Sequence, residues 1–280
     1  MPSDAASLVQ YQREGSLVLP GFKSQSDIAA LRARANSIVA AFDPSESRTI
    51  FTTREQVRTV DDWFLDSADK VRCFFEEEAF DKHGALRQAK ALSINKIGHA
   101  MHDLDPVFDR FSHGPELAEV AAAVGLQQPR IWQSMYIFKQ PGIGGEVGWH
   151  QDATFFHTDP QSVVTFWFAL EDADVDNGCL WVEPGGHRGP LRQRFVREGR
   201  SVRMETIDPA PWPSQDRAVP LPVKAGTLVV FHGLLPHYSA PNRSPRSRHA
   251  YTLHVTDGRA RYSPGNWLQR DTALPVRGFV

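Results

Sequence analysis

The sequence of 280 residues contains little cysteine, no large surplus of either charge and no long apolar run. Its two cysteines, Cys73 and Cys179, are too few for a disulfide framework and lack the spacing typical of structural zinc sites. The 31 basic and 33 acidic residues give a formal net charge of −2, so we expect no nucleic-acid partner. No apolar run approaches the roughly 20 residues that span a bilayer, and no secretory or peroxisomal signal is visible. The sequence therefore predicts a cytoplasmic protein without a membrane span.

The composition is that of a globular protein, with 41% hydrophobic and 23% charged residues, which excludes disorder, collagen and coiled coil. No repeat or low-complexity linker divides the chain, so we expect one domain over residues 1–280. Apolar residues recur at helical spacing over Ser26–Phe42, and Ser26 or Asp27 can cap this helix. Residues 1–128 are expected to be mostly helical, with a short strand and turn over Ser16–Phe22 and further helices over Trp63–Phe80 and Pro115–Val124.

The second part of the chain, from about Pro129, is rich in Val, Ile, Phe, Trp and Thr, in runs that Gly and Pro clusters interrupt. Short runs without helix-length segments between them indicate antiparallel strands in a sandwich or jelly roll. We therefore predict an α+β fold that is mainly β, with its core in residues 129–280 and flanking helices. The predicted strands are Ile131–Lys139, Val147–Phe155, Val163–Leu170, Leu180–Glu183, Thr227–His232 and His249–Thr256.

Two H-x-D pairs are the first candidates for chemistry. About one such pair is expected by chance from the histidine and aspartate content, so a pair alone is a weak signal. His150 and Asp152 lie in EVGWHQDATFF, which has strand composition, so both side chains are expected on one face. His157 and Asp159 are followed by Pro160, which favours a turn in which this geometry is lost. The first pair is therefore the better candidate.

A metal site with open positions needs a third ligand. A second histidine would complete the set of two histidines and one carboxylate typical of non-haem Fe(II) oxygenases. His237 in FHGLLPHYSAPN is our candidate, and His232 in the same segment is the alternative. Ser239 would share the face of His237 in an extended chain. Arg248 follows shortly after, and as a buried cation it would need an anion such as a dicarboxylate cosubstrate.

Longer segments, spread over almost the whole chain, carry a resemblance to a known family. They are YQREGSLVLPGF, SINKIGHAMHDLDPVF, QSMYIFKQPGIGGEVGWHQDATF, WFALEDADVDNGCLWVEPGGH, HGLLPHYSAPNRSPRSRHAYTLHV and SPGNWL. Together they resemble the phytanoyl-CoA dioxygenase family of Fe(II)- and 2-oxoglutarate-dependent oxygenases. The resemblance implies a double-stranded β-helix core, that is, a cupin-like jelly roll. It also implies iron ligands at His150, Asp152 and His237, and 2-oxoglutarate contacts at Lys96, Met135, Gln151, Trp167, Ser239 and Arg248.

The resemblance implies a reaction as well as a fold. The family uses O2 to decarboxylate 2-oxoglutarate to succinate and CO2 while it hydroxylates a second substrate. Related halogenases lack the carboxylate ligand, so Asp152 favours hydroxylation. We expect a small-molecule or lipid-like substrate, with an acyl-CoA as one candidate, and stimulation by ascorbate. One local difference, Gly186 where the family often has serine, is expected to affect only a turn.

Two other functions fit the same residues. The fold could bind a metal or a carboxylate as a sensor or scaffold without turnover, because fold alone does not fix chemistry. A hydrolase or isomerase with another metal could use the same three ligands, although Arg248 would then have no evident role. Release of succinate would separate the oxygenase from the binding protein.

A cluster of arginines is the remaining feature of the sequence. Its simpler interpretation is a solvated face, and the alternative is a docking patch for an anionic substrate group such as the phosphates of a CoA thioester. The cluster consists of Arg188, Arg192, Arg194, Arg197, Arg200 and Arg203.

Overall fold

The computed structural model describes residues 5–51 and 61–280. Within these ranges, α-helices flank sheets whose strands are all paired antiparallel. None of the described helices is both long and apolar enough to cross a membrane. The helices are α1 (Ala5–Glu14), α2 (Gln25–Ala41), α3 (Asp62–Leu65), α4 (Met101–Leu104), α5 (Pro106–Ser112) and α6 (Pro115–Ala123).

Helix α2 begins at Gln25, one residue before the predicted start. Its N-cap is Ser24 and not Ser26 or Asp27. The Ser24 Oγ accepts the backbone N–H of Asp27 at 3.1 Å, and the Asp27 carboxylate accepts the backbone N–H of Ser24 at 3.3 Å. This reciprocal capping box satisfies two amides that a helix end leaves unpaired. The residues that α2 buries recur at helical spacing and are Ile28, Leu31, Ala35 and Val39.

The segment Trp63–Phe80 is not the predicted helix. It contains most of the single-turn helix α3, followed by the strand β2 (Val71–Phe75), which pairs with β3 (Ile94–His99). The aromatic and branched residues of β2 favour a strand, and the last three residues of β2, Cys73–Phe75, are buried. Tertiary pairing therefore overrides the local helix preference of the glutamates that follow.

Four antiparallel sheets contain the described strands. The remaining strands are β1 (Ser16–Leu19), β4 (Pro129–Ile137), β5 (Val147–His150), β6 (Thr158–Asp159), β7 (Val164–Ala169), β8 (Leu180–Val182), β9 (Gln193–Glu198), β10 (Ser201–Thr206), β11 (Val219–Leu221), β12 (Leu228–His232), β13 (His237–Ser239), β14 (Ala250–Asp257) and β15 (Arg261–Tyr262). The large sheet has the order β1-β12-β7-β14-β4-β3-β2, and the small sheet has the order β11-β8-β13-β5. Two further pairs, β9 with β10 and β6 with β15, complete the set.

The large sheet joins the two parts of the chain. Strand β1 at one edge and strands β3 and β2 at the other come from residues before 129, whereas the strands between them come from later residues. Each strand predicted after residue 129 has an observed counterpart. The main difference is β5, which ends at His150 instead of continuing to Phe155.

The large and small sheets pack against each other through an apolar cluster. Trp167, Val229 and Phe231 of the large sheet meet Leu180 and Val182 of the small sheet. The other face of the large sheet packs on α2, α5 and α6. The inner faces of the two sheets therefore enclose the space in which most of the candidate residues lie.

Candidate active site

A cavity of about 160 Å³ lies between the two sheets. Its walls come from β3, β4, β7 and β14 of the large sheet and from β5, β8 and β13 of the small sheet. The segment 49–51 and Trp267 also line it. The cavity contains all but one of the residues that the sequence assigned to the site.

His150, Asp152 and His237 meet at one end of this cavity. His237 on β13 pairs directly with His150 on β5, and the two ring centroids are 4.0 Å apart. Asp152 begins a short 3-10 helix immediately after β5, so the predicted strand through Phe155 is wrong in its second half. The turn still brings Asp152 Oδ1 to 3.6 Å from His150 Nε2 and 3.7 Å from His237 Nε2. The ligand atoms of the three side chains all lie within 4.8 Å of one another, so they could hold one metal ion.

The two histidines are oriented as metal ligands by their own backbone. His150 Nδ1 lies 2.8 Å from the carbonyl oxygen of Gly148, and His237 Nδ1 lies 3.0 Å from that of Leu235. A carbonyl can only accept, so each Nδ1 carries the proton and each Nε2 keeps a lone pair for a metal. Burial is the main cause that lowers the pKa of His150 to about 3, and the neighbouring His237 lowers it further. This imidazole is therefore neutral near pH 7.

The other oxygen of Asp152 is held from the large sheet. The Thr165 hydroxyl donates to Asp152 Oδ2, and His254 Nε2 lies 3.5 Å from the same oxygen. Burial opposes ionisation of Asp152, but the His237 and His254 rings outweigh it and bring its pKa below the usual range. Asp152 is therefore an ionised carboxylate whose Oδ1 faces the histidines and whose Oδ2 is engaged elsewhere.

His232, the alternative third ligand, lies outside the cavity. Its Nδ1 accepts the backbone N–H of Leu234 at 3.1 Å, and its ring lies 5.4 Å from that of His187. His157 and Asp159, the second H-x-D pair, also lie away from the cavity, and Asp159 contacts Arg261 at the surface. The geometry therefore favours His237 and the first pair.

Arg248 is a buried guanidinium with one unused nitrogen. Its Nε donates to the Gly178 carbonyl at 2.9 Å, and its Nη2 donates to Ser239 Oγ at 3.1 Å. Its Nη1 has no hydrogen-bond partner among the described residues, and no described carboxylate forms an ion pair with it. Burial lowers the pKa of Arg248 to about 10, so it remains a cation at neutral pH. A buried cation of this kind is suited to an anionic ligand.

Lys96, Met135 and Trp167 line the same cavity. Lys96 Nζ lies 3.0 Å from the ring centroid of Phe51 and 3.5 Å from the sulfur of Met135. Burial, opposed by Glu76, holds the pKa of Lys96 well below its usual value. The Trp167 ring centroid lies 5.5 Å from the Arg248 guanidinium. Phe51 and Met135 therefore surround the Lys96 amine, and Trp167 lies beside the Arg248 guanidinium.

Gln151 is the predicted cosubstrate residue that the structure does not bring to the cavity. Its amide nitrogen donates to the carbonyls of Pro190 and Leu234 at 3.0 and 2.9 Å, and its oxygen accepts the backbone N–H of Arg192 at 2.9 Å. The correction has a simple cause, because alternate residues of an extended segment face opposite sides and Gln151 lies between two ligands. Its side chain holds surrounding loops instead.

Thr165 and His254 belong to the site, although the sequence analysis did not assign them to it. The signal was alternation along strands that were already predicted. Thr165 precedes Trp167 by two residues on β7, and His254 on β14 follows Arg248, which lies two residues before that strand, by six residues. An even spacing from an assigned residue places both on the same face.

Two arginines of the cluster are paired with neighbouring carboxylates. Arg200 contacts Asp62 and Asp66 at 2.9 Å, and Arg203 contacts Glu198 at 2.7 Å and another glutamate of its hairpin at 2.8 Å. These pairs lie at the surface of the β9–β10 hairpin. For Arg200 and Arg203, the geometry therefore favours the interpretation of a solvated face over that of an anion-docking patch.

Comparison with known proteins agrees with this geometry. A model of the phytanoyl-CoA dioxygenase (PhyH) family matches residues 11–250. The chain is 45% identical over 262 residues to phytanoyl-CoA dioxygenase of Arabidopsis thaliana, a match that covers 93% of this chain and 91% of that protein. It is 44% identical over 281 residues to phytanoyl-CoA dioxygenase domain-containing protein 1 of Mus musculus, with 96% of each covered.

A solved structure shares the fold at lower identity. The epimerase SnoN, in complex with Fe3+, α-ketoglutarate and nogalamycin RO, matches with a TM-score of 0.64 at 18% identity, over 98% of this chain and 93% of that one. The match of the family model over most of the chain, together with relatives of more than 40% identity, shows the family. This chain belongs to the phytanoyl-CoA dioxygenase family.

Proposed function

We propose that this protein is an Fe(II)- and 2-oxoglutarate-dependent dioxygenase that hydroxylates a small-molecule or lipid-like substrate and releases succinate and CO2. One observation carries the proposal. Two imidazole Nε2 atoms and one carboxylate oxygen face a common point, and a buried guanidinium with an unused nitrogen lines the same cavity. This donor set suits Fe(II), and the guanidinium suits the distal carboxylate of a 2-oxo acid.

The three protein ligands would leave about three positions of an octahedral ion free, which is enough for a chelating 2-oxo acid and O2. When bound, Fe(II) supplies the activation of O2 that couples cosubstrate decarboxylation to oxidation of a C–H bond. His150 and His237 would each bind through Nε2, and Asp152 offers one negative oxygen. The net charge of the site would then be +1 before the cosubstrate binds, which favours a dianionic ligand.

The remaining residues would bind and orient the cosubstrate. Arg248 Nη1, with Ser239 Oγ beside Nη2, would hold the distal carboxylate. Trp167 and Met135 would form the wall that keeps bulk water away. Lys96 lines the same cavity, and an anionic cosubstrate beside it would favour the charged form of its amine, which burial alone disfavours.

The finer description of the fold is part of the proposal. The large and small antiparallel sheets would form the two faces of a double-stranded β-helix, or cupin-like jelly roll, and residues 1–280 would form one dioxygenase domain. The division into a mostly helical part up to residue 128 and a core from residue 129 stays a prediction. A cytoplasmic location and a small-molecule partner likewise stay predictions of the sequence, as does the absence of a nucleic-acid partner.

Succinate release tests the proposal. Protein purified without oxygen and loaded with Fe(II), 2-oxoglutarate and ascorbate should release succinate slowly on exposure to air, even without a primary substrate. His150→Ala should abolish this release because it removes one metal ligand. His157→Ala is the matched control, since it changes the other H-x-D histidine, outside the cavity, and should keep turnover. Wild-type release no greater than that of His150→Ala would support a binding protein without turnover.

A further inference from the structure

His99 is a fully buried histidine that lines the cavity and has no part in the proposed metal site. Three aromatic rings enclose it. Phe64 and Trp267 contact it edge to face with centroids 5.5 and 5.1 Å away, and Phe74 lies 5.4 Å away. Packing of this kind fixes the plane of the imidazole, so the directions of its two nitrogens are also fixed.

The hydrogen bonds around His99 determine which nitrogen carries the proton. The Ser67 hydroxyl lies 2.5 Å from the Phe64 carbonyl oxygen and 2.7 Å from His99 Nδ1. The carbonyl can only accept, so it takes the single hydroxyl proton of Ser67. Ser67 Oγ must therefore accept from His99 Nδ1–H. Burial, with Lys96 and His254 adding to it, holds the pKa of His99 well below its usual value, so the ring is neutral. The other nitrogen, Nε2, is then a bare acceptor.

This acceptor is unused in the described structure. His99 Nε2 is buried and has no hydrogen-bond partner among the described residues. Such an atom carries a desolvation cost until a donor reaches it. Ionised 2-oxoglutarate offers only acceptors, so the cosubstrate cannot satisfy it. No described residue donates to this nitrogen, and a donor on another molecule in the cavity would satisfy it.

We propose that His99 recognises a hydrogen-bond donor, a hydroxyl or an amide N–H, on the primary substrate of this enzyme. The proposal rests on the proposed function only in that the substrate shares the cavity with the metal site. The aromatic neighbours of His99 add an apolar requirement. The substrate class is therefore an apolar molecule with a donor group on the part that contacts Phe64, Phe74 and Trp267, and a bare ether or ester at that position would be discriminated against.

Two isomeric probes test this specificity without turnover. 1-Hexanol and methyl pentyl ether have the same atoms, but only the alcohol has an O–H group. Each is titrated into metal-free protein with 15N-labelled histidine, and the 15N shift of His99 Nε2 reports both the tautomer and the contact. We expect the free protein to show an unprotonated Nε2, and the alcohol to bind about five- to tenfold more tightly than the ether, because one buried hydrogen bond separates them.

Two variants separate recognition from folding. His99→Phe should reduce the preference for the alcohol to about onefold, and Ser67→Ala should reduce it in part, because Nδ1 then loses the acceptor that fixes the tautomer. Tyr136→Phe is the matched control. It removes the hydroxyl partner of another buried histidine, His249, at 2.8 Å and outside the cavity, and should keep the wild-type preference.

The outcomes are distinct from those of the succinate assay. A protonated Nε2 in the free protein, or equal binding of alcohol and ether to the wild type, would overturn the proposal, and equal binding would indicate that water satisfies this nitrogen. Persistence of the preference in both Ser67→Ala and His99→Phe would overturn it as well. None of these results depends on iron, so they leave the proposed dioxygenase activity to its own test.

Discussion

Arg200 and Arg203 of the β9–β10 hairpin and Arg248 of the cavity differ in what surrounds their charge. Arg200 and Arg203 are partly exposed and have carboxylates within 2.9 Å. Arg248 is buried, with 2% of its surface exposed, and no described carboxylate forms an ion pair with it. A cation that the fold buries without an internal anion is costly unless a ligand compensates it. The contrast shows that an unpaired charge, and not a dense cluster of charges, marks the site.

Arg248→Met removes the unpaired cation of the cavity and should produce the largest effect of the substitutions considered. We expect the KM for 2-oxoglutarate to rise at least about 100-fold, because the distal carboxylate would lose its charged partner in a buried site. The free energy of unfolding of the metal-free protein should stay equal or increase, since the variant removes a buried charge that has no internal anion. Succinate assays over a range of 2-oxoglutarate, and urea unfolding, measure the two quantities.

Arg200→Ala is the control for this comparison, because it removes an exposed, paired arginine from the hairpin. Its KM for 2-oxoglutarate should stay within about twofold of the wild type, since exposed charges act weakly over such distances. A comparable rise in KM in both variants would contradict the distinction between paired and unpaired cations. A large loss of stability in Arg248→Met would show that its hydrogen bonds to Gly178 and Ser239 hold the fold.

Thr165→Val should have the next largest effect, because it tests the buried carboxylate of the same site. The hydroxyl of Thr165 donates to Asp152 Oδ2, and removing a group that orients a metal ligand typically weakens metal binding 10- to 100-fold. We expect a loss in Fe(II) affinity of about tenfold, measured by anaerobic titration. Thr252→Val is a matched control, since Thr252 lines the same cavity but its hydroxyl has no described partner. Equal losses in both variants would assign the effect to packing.

Much of this site follows from the sequence because strand alternation is a local rule. The sequence predicts His150 and His237, from two separate segments, as ligands of one metal. The pairing of β5 with β13 places them opposite each other. The same rule, applied further along predicted strands, would have found Thr165 and His254. It also shows why Gln151 faces away from the cavity. The rule fails where the chain leaves the strand, as at the 3-10 turn that carries Asp152.

Other features could not be predicted because they depend on contacts that are distant in the chain. Strand β2 was interpreted as helix, since its pairing with β3 is not visible in its own composition. The proton position on His99 depends on Ser67, which lies 32 residues earlier. The Ser67 hydroxyl donates its proton to the Phe64 carbonyl. The neutralisation of Arg200 by Asp62 and Asp66 joins residues more than 130 positions apart. Each of these is a property of the assembled fold.

His232→Gln should produce the smallest effect, a change in how the free energy of unfolding depends on pH. It compares these arginines with a partly buried histidine that stays neutral in the folded protein. Burial, with His187 adding to it, lowers the pKa of His232 to about 4, whereas an unfolded histidine titrates near about 6.5. Between these values the unfolded chain binds a proton that the folded chain does not, so the free energy of unfolding falls as pH falls. Protonation would also remove the acceptor of the Leu234 N–H.

The measurement is the difference in free energy of unfolding between pH 7 and pH 5, from urea unfolding of metal-free protein. His232→Gln should reduce this difference by about 1–2 kcal/mol, because glutamine does not titrate. The exposed His83 provides the control, and His83→Gln should keep the wild-type difference, since its environment changes little on folding. An unchanged difference in His232→Gln would mean that the folded protein admits a proton at this position, and that burial beside His187 does not exclude charge.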